Sequence, residues 1–99
     1  MLSVLKKAIA QKKVVSVFFH GEGGHRLLEP FLVGTTDNGI EALRSFQVGG
    51  FSNTFKTYGW KLFRVDCISS IEITDADFSP SRPDYTPDDP VIRNVICRC

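Results

Sequence analysis

Apolar positions first recur at helical spacing and then at strand spacing. Leu2, Leu5, Ala8 and Ile9 fall three and four residues apart, which puts them on one face and predicts a short helix over 2–12. Lys6, Lys7, Lys12 and Lys13 lie largely off that face, as a solvated side requires. From there the pattern changes. "VVSVFFH" (14–20) is β-branched and aromatic and predicts a strand. "GEGG" (21–24) is a turn, because adjacent glycines admit positive φ. "HRLLEPFLVG" (25–34) is a second strand, and Pro30 inside it has no N–H for the ladder, so a bulge or an edge is expected there. "TTDNG" (35–39) ends in Asn-Gly, a strong hairpin signal.

"IEALRSFQV" (40–48) is the third strand, with Ile40, Ala42, Arg44, Phe46 and Val48 on one side and Glu41, Leu43, Ser45 and Gln47 on the other. "GGFSNTFKTYG" (49–59) reads as a loop, "WKLFRVD" (60–66) as a fourth strand and "SSIEIT" (69–74) as a fifth. Asp75 to Pro90 holds four prolines and five aspartates, so it predicts an extended connection. "VIRNVICRC" (91–99) is apolar enough for one last strand. Short strands rich in Phe, Val and Ile bury both sets of side chains by closing on themselves or splitting into two packed sheets. At 99 residues a small barrel is the economical solution. The expected fold is therefore all-β, or α+β by the helix: a barrel domain over 1–78 and a proline- and aspartate-rich tail over 79–99.

Net charge is +1, which supplies no bulk attraction to nucleic acid or membrane. Its distribution is uneven. Residues 1–64 hold nine Lys/Arg against four Asp/Glu, and residues 65–99 hold three against seven. A basic body with an acidic tail suits a chain that binds an anion and screens its own site. Cys67, Cys97 and Cys99 are an odd number, no secretory leader is evident, and no run reaches transmembrane length. These features lead to an expectation of free thiols, a cytoplasmic setting and no membrane. Cys97 and Cys99 are too few for a structural zinc site, and no metal is expected.

The series "AIAQKKVVSVFF", "HRLLEPFLVG", "IEALRSF", "WKLFRVDCISSIEI" and "DADF", spanning 8–78, resembles the WYL domain family. Arg26, Glu29-Pro30, Phe63-Arg64-Val65-Asp66 and Ile68 carry the likeness. The naming Trp-Tyr-Leu is replaced by "Ile40-Glu41-Ala42-Leu43", Lys61 stands where an arginine is usual, and Cys67 stands where a second one is. The resemblance implies an Sm-like or SH3-like barrel that senses a negatively charged effector, a nucleotide or single-stranded nucleic acid, through clustered arginine and aromatic side chains. Members are usually fused to a helix-turn-helix, and this sequence shows none.

The residues themselves leave alternatives. Arg44 lies on an otherwise apolar stripe, so it is at the rim, snorkelling to water, or paired in a site. Arg64, between Phe63 and Val65, is a phosphate contact or half of a structural pair with Asp66. "FKTYGWK" (55–61) interleaves Phe55, Tyr58 and Trp60 with Lys56 and Lys61, which suits base stacking beside phosphate neutralisation, or a loop folded back on the core. Lys61 and Arg64 point to opposite faces of a regular strand, so one acts from a bulge, a strand end or a subunit interface, or only one belongs to the site, Arg64 being the choice. The expected ligand contacts are Arg26, Arg44, Lys61 and Arg64 for anionic groups and Tyr58 for stacking. Glu29 and Asp66 read as structural. His20 and His25 flank the GEGG turn and read as solvated. No catalytic triad spacing, no glycine-rich phosphate loop ahead of a helix and no metal-ligand set is present, so neither catalysis nor a cofactor is expected. The alternative to a ligand sensor is a protein-interaction module that pairs with a regulatory partner, or with itself, through the barrel edge and the C-terminal strand.

Overall fold

The computed structural model describes residues 1–54 and 56–99. The described residues form a helix α1 (Leu2–Gln11) and six strands: β1 (Lys13–Phe19), β2 (Arg26–Thr35), β3 (Glu41–Gly50), β4 (Gly59–Arg64), β5 (Ile68–Asp77) and β6 (Asn94–Arg98). A single 3-10 turn (Val65–Cys67) joins β4 to β5. All strand pairs are antiparallel, in the order β4-β3-β2-β1-β5, and β6 pairs with β2. The result is the expected small α+β barrel-like fold with an N-terminal helix.

β2 is the spine of the sheet. It pairs with β3 along its whole length, with β1 only over Arg26–Leu28, and with β6 only over Leu32–Thr35. The changeover falls at Pro30 and Phe31, where the register against β3 also slips. Pro30 has no N–H to leave unpaired at that break, which is the physical reason for a proline there. The β2–β3 hairpin turns over Thr36 to Gly39, where the Gly39 N–H donates to the Thr36 carbonyl and Gly39 takes a φ of 76°.

The main core stacks Leu5, Ala8 and Ile9 of α1 on Val15, Val17, Leu28, Val33 and Leu43, and Val65 and Ile68 close its far end. The helix stops at Gln11 because Lys12 adopts the left-handed conformation (φ 54°) and releases the chain into β1. Two smaller clusters lie on the other side of the wall: Val14, Phe31, Phe46 and Phe78, with Trp60 and Tyr85 against them, and Leu32, Ala42 and Ile92.

Several boundaries differ from the sequence pattern. The fourth strand ends at Arg64, not Asp66, because Val65 turns inward and starts the 3-10 turn. β3 runs on to Gly50 and β5 to Asp77, where backbone pairing continues past the last alternating side chains. Residues 79–99, set apart above as a tail that ends in one last strand, do form that strand as β6. They lie on the barrel: β6 extends the sheet, Ile92 is 1% exposed, and 79–91 crosses the outer face of β3 and β4 without helix or strand. A break in composition marked the loss of regular structure; it did not mark a loss of contact.

Candidate functional site

Alternation along β3 and β4 sorts their side chains onto two faces. Ala42, Arg44 and Phe46 lie opposite Arg64, Leu62 and Trp60, while Leu43 lies opposite Phe63 and turns to the main core. On the outer face the aromatics form a corner. Phe46 meets Tyr58 edge-on (centroids 4.9 Å apart, 88°) and Trp60 edge-on (5.4 Å, 89°), and Trp60 packs on Phe31 at 4.9 Å. Rings at right angles are held in a favourable geometry, so the corner is a stiff surface.

Residues 79–92 fill it. The Arg82 guanidinium grips Glu29 with two parallel bonds, Nε to Oε1 and Nη2 to Oε2, each 2.9 Å. Its Nη1 donates to the Tyr58 hydroxyl at 2.8 Å, and its Cζ lies 4.2 Å above the centre of the Phe46 ring. Glu29 is 8% exposed at its side chain, so without a cation it would be a buried, uncompensated carboxylate. One residue on, the Trp60 indole N–H donates to the Pro83 carbonyl at 2.9 Å. Asp84 takes a positive φ of 67°, and with Pro83 before it the chain turns as in a type II turn and lays Tyr85 nearly parallel to Trp60. Tyr85 also packs on Phe31.

A second anchor follows. Arg44 grips Asp89 through Nε–Oδ2 (2.8 Å) and Nη2–Oδ1 (3.2 Å), and Asp89 Oδ1 accepts the backbone N–H of Val91 and Ile92. Between the two anchors lies an open cleft of about 230 Å³, bordered by Arg44, Trp60, Tyr85, Thr86, Asp89 and Pro90.

Ionisation follows these contacts. Its bonds to Glu29 and Tyr58 outweigh burial and hold the Arg82 pKa above the ordinary arginine range. Burial alone would push the Asp89 carboxyl up, but Arg44 and the two amides outweigh it and hold it below its usual 3.8. Burial raises the Tyr85 hydroxyl, and the charge of Cys99 adds to that rise.

The five residues expected to contact a ligand do not share one opening. Arg26 is buried, bonded to both carboxylate oxygens of Glu22 and to Gln47 Oε1, and stacked between aromatic rings, so it ties the β1–β2 turn to β3. Arg44 borders the cleft but is taken by Asp89. Tyr58 is 55% exposed and holds Arg82. Lys61 Nζ donates to the Lys56 carbonyl at 2.9 Å. Arg64 pairs with Asp66 in solvent, 57% exposed, and the hydrogen bonds it donates to Asp66 raise its pKa. Phe55 lies outside the described residues. Trp60 folds back on the core, and His25 sits at the surface with Nδ1 3.3 Å from Ser16 Oγ.

The pattern along the chain missed Arg82, Tyr85 and Asp89 and gave Glu29 only a structural role. One signal was available. Arg82 is a lone cation in a stretch of prolines and acids, and a lone Tyr85 follows it at turn spacing.

The chain matches no protein-family model, no curated protein and no solved structure.

Proposed function

We propose that the protein is an interaction module whose outer β3–β4 face receives a segment of irregular chain, and that residues 79–91 hold this face when no partner does. The observation that carries it is the seating of those residues. They reach the face through two ion pairs, the Arg82–Tyr58 hydrogen bond and the indole hydrogen bond, with no ladder pairing before β6 among the described residues. Both ends are fixed, by Phe78 in the core and by Ile92 with β6, so the intervening stretch is a strap that can lift without unfolding the sheet. The module binds; no reaction is assigned to it.

Native-state hydrogen exchange tests this. The Trp60 indole N–H and the Ile92 amide are bonded to or within the strap, and the amides of Val15 and Leu28 report the barrel. The strap protons are expected to exchange through an opening of clearly lower free energy than the barrel amides. If they exchange only with global unfolding, the face is never free in the native state and the proposal fails.

A second reading is supported by Arg44 and by the resemblance to WYL domains. Arg44 already holds a carboxylate bidentately, and a nucleotide phosphate or a single-stranded nucleic acid is a chemically apt competitor for Asp89. Arg64, in solvent beside Asp66, is a further contact for such a ligand. In this reading the module is a regulatory sensor. Titration of the wild type, Arg44→Ala and Arg64→Ala with a nucleotide panel and a labelled oligonucleotide, at low and moderate salt, decides it. Binding that Arg44→Ala or Arg64→Ala weakens supports the sensor; no binding by the wild type removes it.

A further inference from the structure

The chemistry of the partner follows from the pocket that Arg82 fills. We propose that the partner segment is a peptide carrying an Arg-Pro pair with an aromatic residue two positions after the proline, which takes the place of Arg82, Pro83 and Tyr85. This rests on the interaction-module reading above.

Three features select that chemistry. Glu29 is nearly buried, so any occupant that lifts the strap must bring a cation of its own or leave a desolvated charge behind. The pocket is planar and two-pronged: both Glu29 oxygens are engaged, Tyr58 supplies a third acceptor, and the Phe46 ring lies flat beneath. A guanidinium meets all of these at once. A lysine ammonium cannot bond in parallel or stack, so arginine is preferred. The Trp60 indole N–H is donor-only and needs a carbonyl at the next position. Proline suits that position because its ring nitrogen has no N–H to strand against the aromatic wall, and its fixed φ starts the turn that delivers the second aromatic ring.

The strap competes in cis at the high effective concentration of a tethered segment, so trans binding to the wild type is expected to be weak. The test uses a labelled peptide with the sequence of residues 79–90 and the full chain carrying Arg82→Ala, which empties the pocket but keeps Asp89, Ile92 and β6. The peptide is expected to bind this variant at least tenfold more tightly than the wild type. Replacing the peptide arginine by lysine is expected to weaken binding at least tenfold, and adding Glu29→Gln to the protein is expected to abolish it. If circular dichroism shows that Arg82→Ala is unfolded, the same peptides are titrated into the wild type while the Trp60 indole N–H resonance is followed by NMR. Movement with the arginine peptide alone supports the proposal, and no movement at millimolar peptide overturns it. Equal binding of the arginine and lysine peptides overturns the Arg-Pro chemistry while leaving an interaction module in place. Absence of binding by every peptide overturns the Arg-Pro partner, and the hydrogen exchange above then judges the module by itself. Concentration-dependent dimers that exchange labelled strap between copies would make the occupant a second copy and overturn the separate partner.

Discussion

Asp89 is nearly buried yet charged, and its neighbours explain why. Its two oxygens are shared between the Arg44 guanidinium and two backbone N–H groups, so desolvation is more than offset. A carboxyl whose folded pKa is depressed contributes stability that is fully present above its unfolded value, near 3.8, and is lost as pH falls through the lower folded value. Asp89→Asn is therefore expected to lower the urea midpoint at pH 6, by about 1.5–3 kcal/mol in stability. The gap from the wild type should shrink as pH falls from about 5 toward 3. A gap independent of pH would show that Asp89 acts by shape alone. Tyr85 is the opposite case. Its hydroxyl is buried and meets no hydrogen-bond partner among the described residues, although its ring is packed between Phe31 and Trp60. Tyr85→Phe keeps the ring and removes the stranded hydroxyl, so it is expected to raise stability by about 1 kcal/mol in urea unfolding. A loss of stability would reveal a partner for that oxygen.

At the scale of elements, the helix, the hairpin over Asn38-Gly39 and the break at Pro30 were legible because each is set by local chemistry: spacing, positive φ, a missing N–H. The course of 79–92 was not. Its contacts join residues far apart in the chain, Arg82 with Glu29 and Arg44 with Asp89, and no periodicity announces a pairing made by side chains alone. Arg44 was legible as a residue that must be rim-exposed or paired; its partner was not. Gly34 shows how closely the last strand approaches. A Cβ there would collide with the Asn94 carbonyl oxygen and stand 2.7 Å from Ile92 Cγ2. Only glycine lets β6 and Ile92 seat on β2 at that point. Gly34→Ala is expected to cost about 1–3 kcal/mol, the scale of overpacking a tight site. Hydrogen exchange should locate the damage at Arg93 and Cys99, whose amides bond to Thr35 and Phe31, ahead of the β1–β5 pairs.

For the whole molecule, the question is whether 1–78 stands without 79–99. The sequence suggests a barrel with an appendage, but the packing opposes that division. Removing 79–99 uncovers Phe31, Phe46 and Trp60 and takes Ile92 from between Leu32 and Ala42. It also leaves the Leu32–Thr35 edge of β2 unpaired and Glu29 desolvated without Arg82. Losing a fully buried isoleucine costs about 1.5–3 kcal/mol. Orphaning Glu29 costs about 2–4 kcal/mol, less than for a fully buried pair because Arg82 is 28% exposed. Together these approach the whole stability of a domain this size. A chain ending at Phe78 is therefore expected to lose cooperative urea unfolding and to bind a hydrophobic dye, while the full chain unfolds in one transition. The proposed lifting of 79–91 differs from deleting the tail, since it keeps Phe78, Ile92 and β6 in the chain to hold their own contacts. Arg82→Ala should accordingly keep one cooperative transition, at a lowered midpoint because Glu29 loses its cation, where truncation abolishes it. If the chain ending at Phe78 unfolds at the same midpoint as the full chain, then 79–99 adds nothing to the fold, and the strap loses the fixed ends that its role requires.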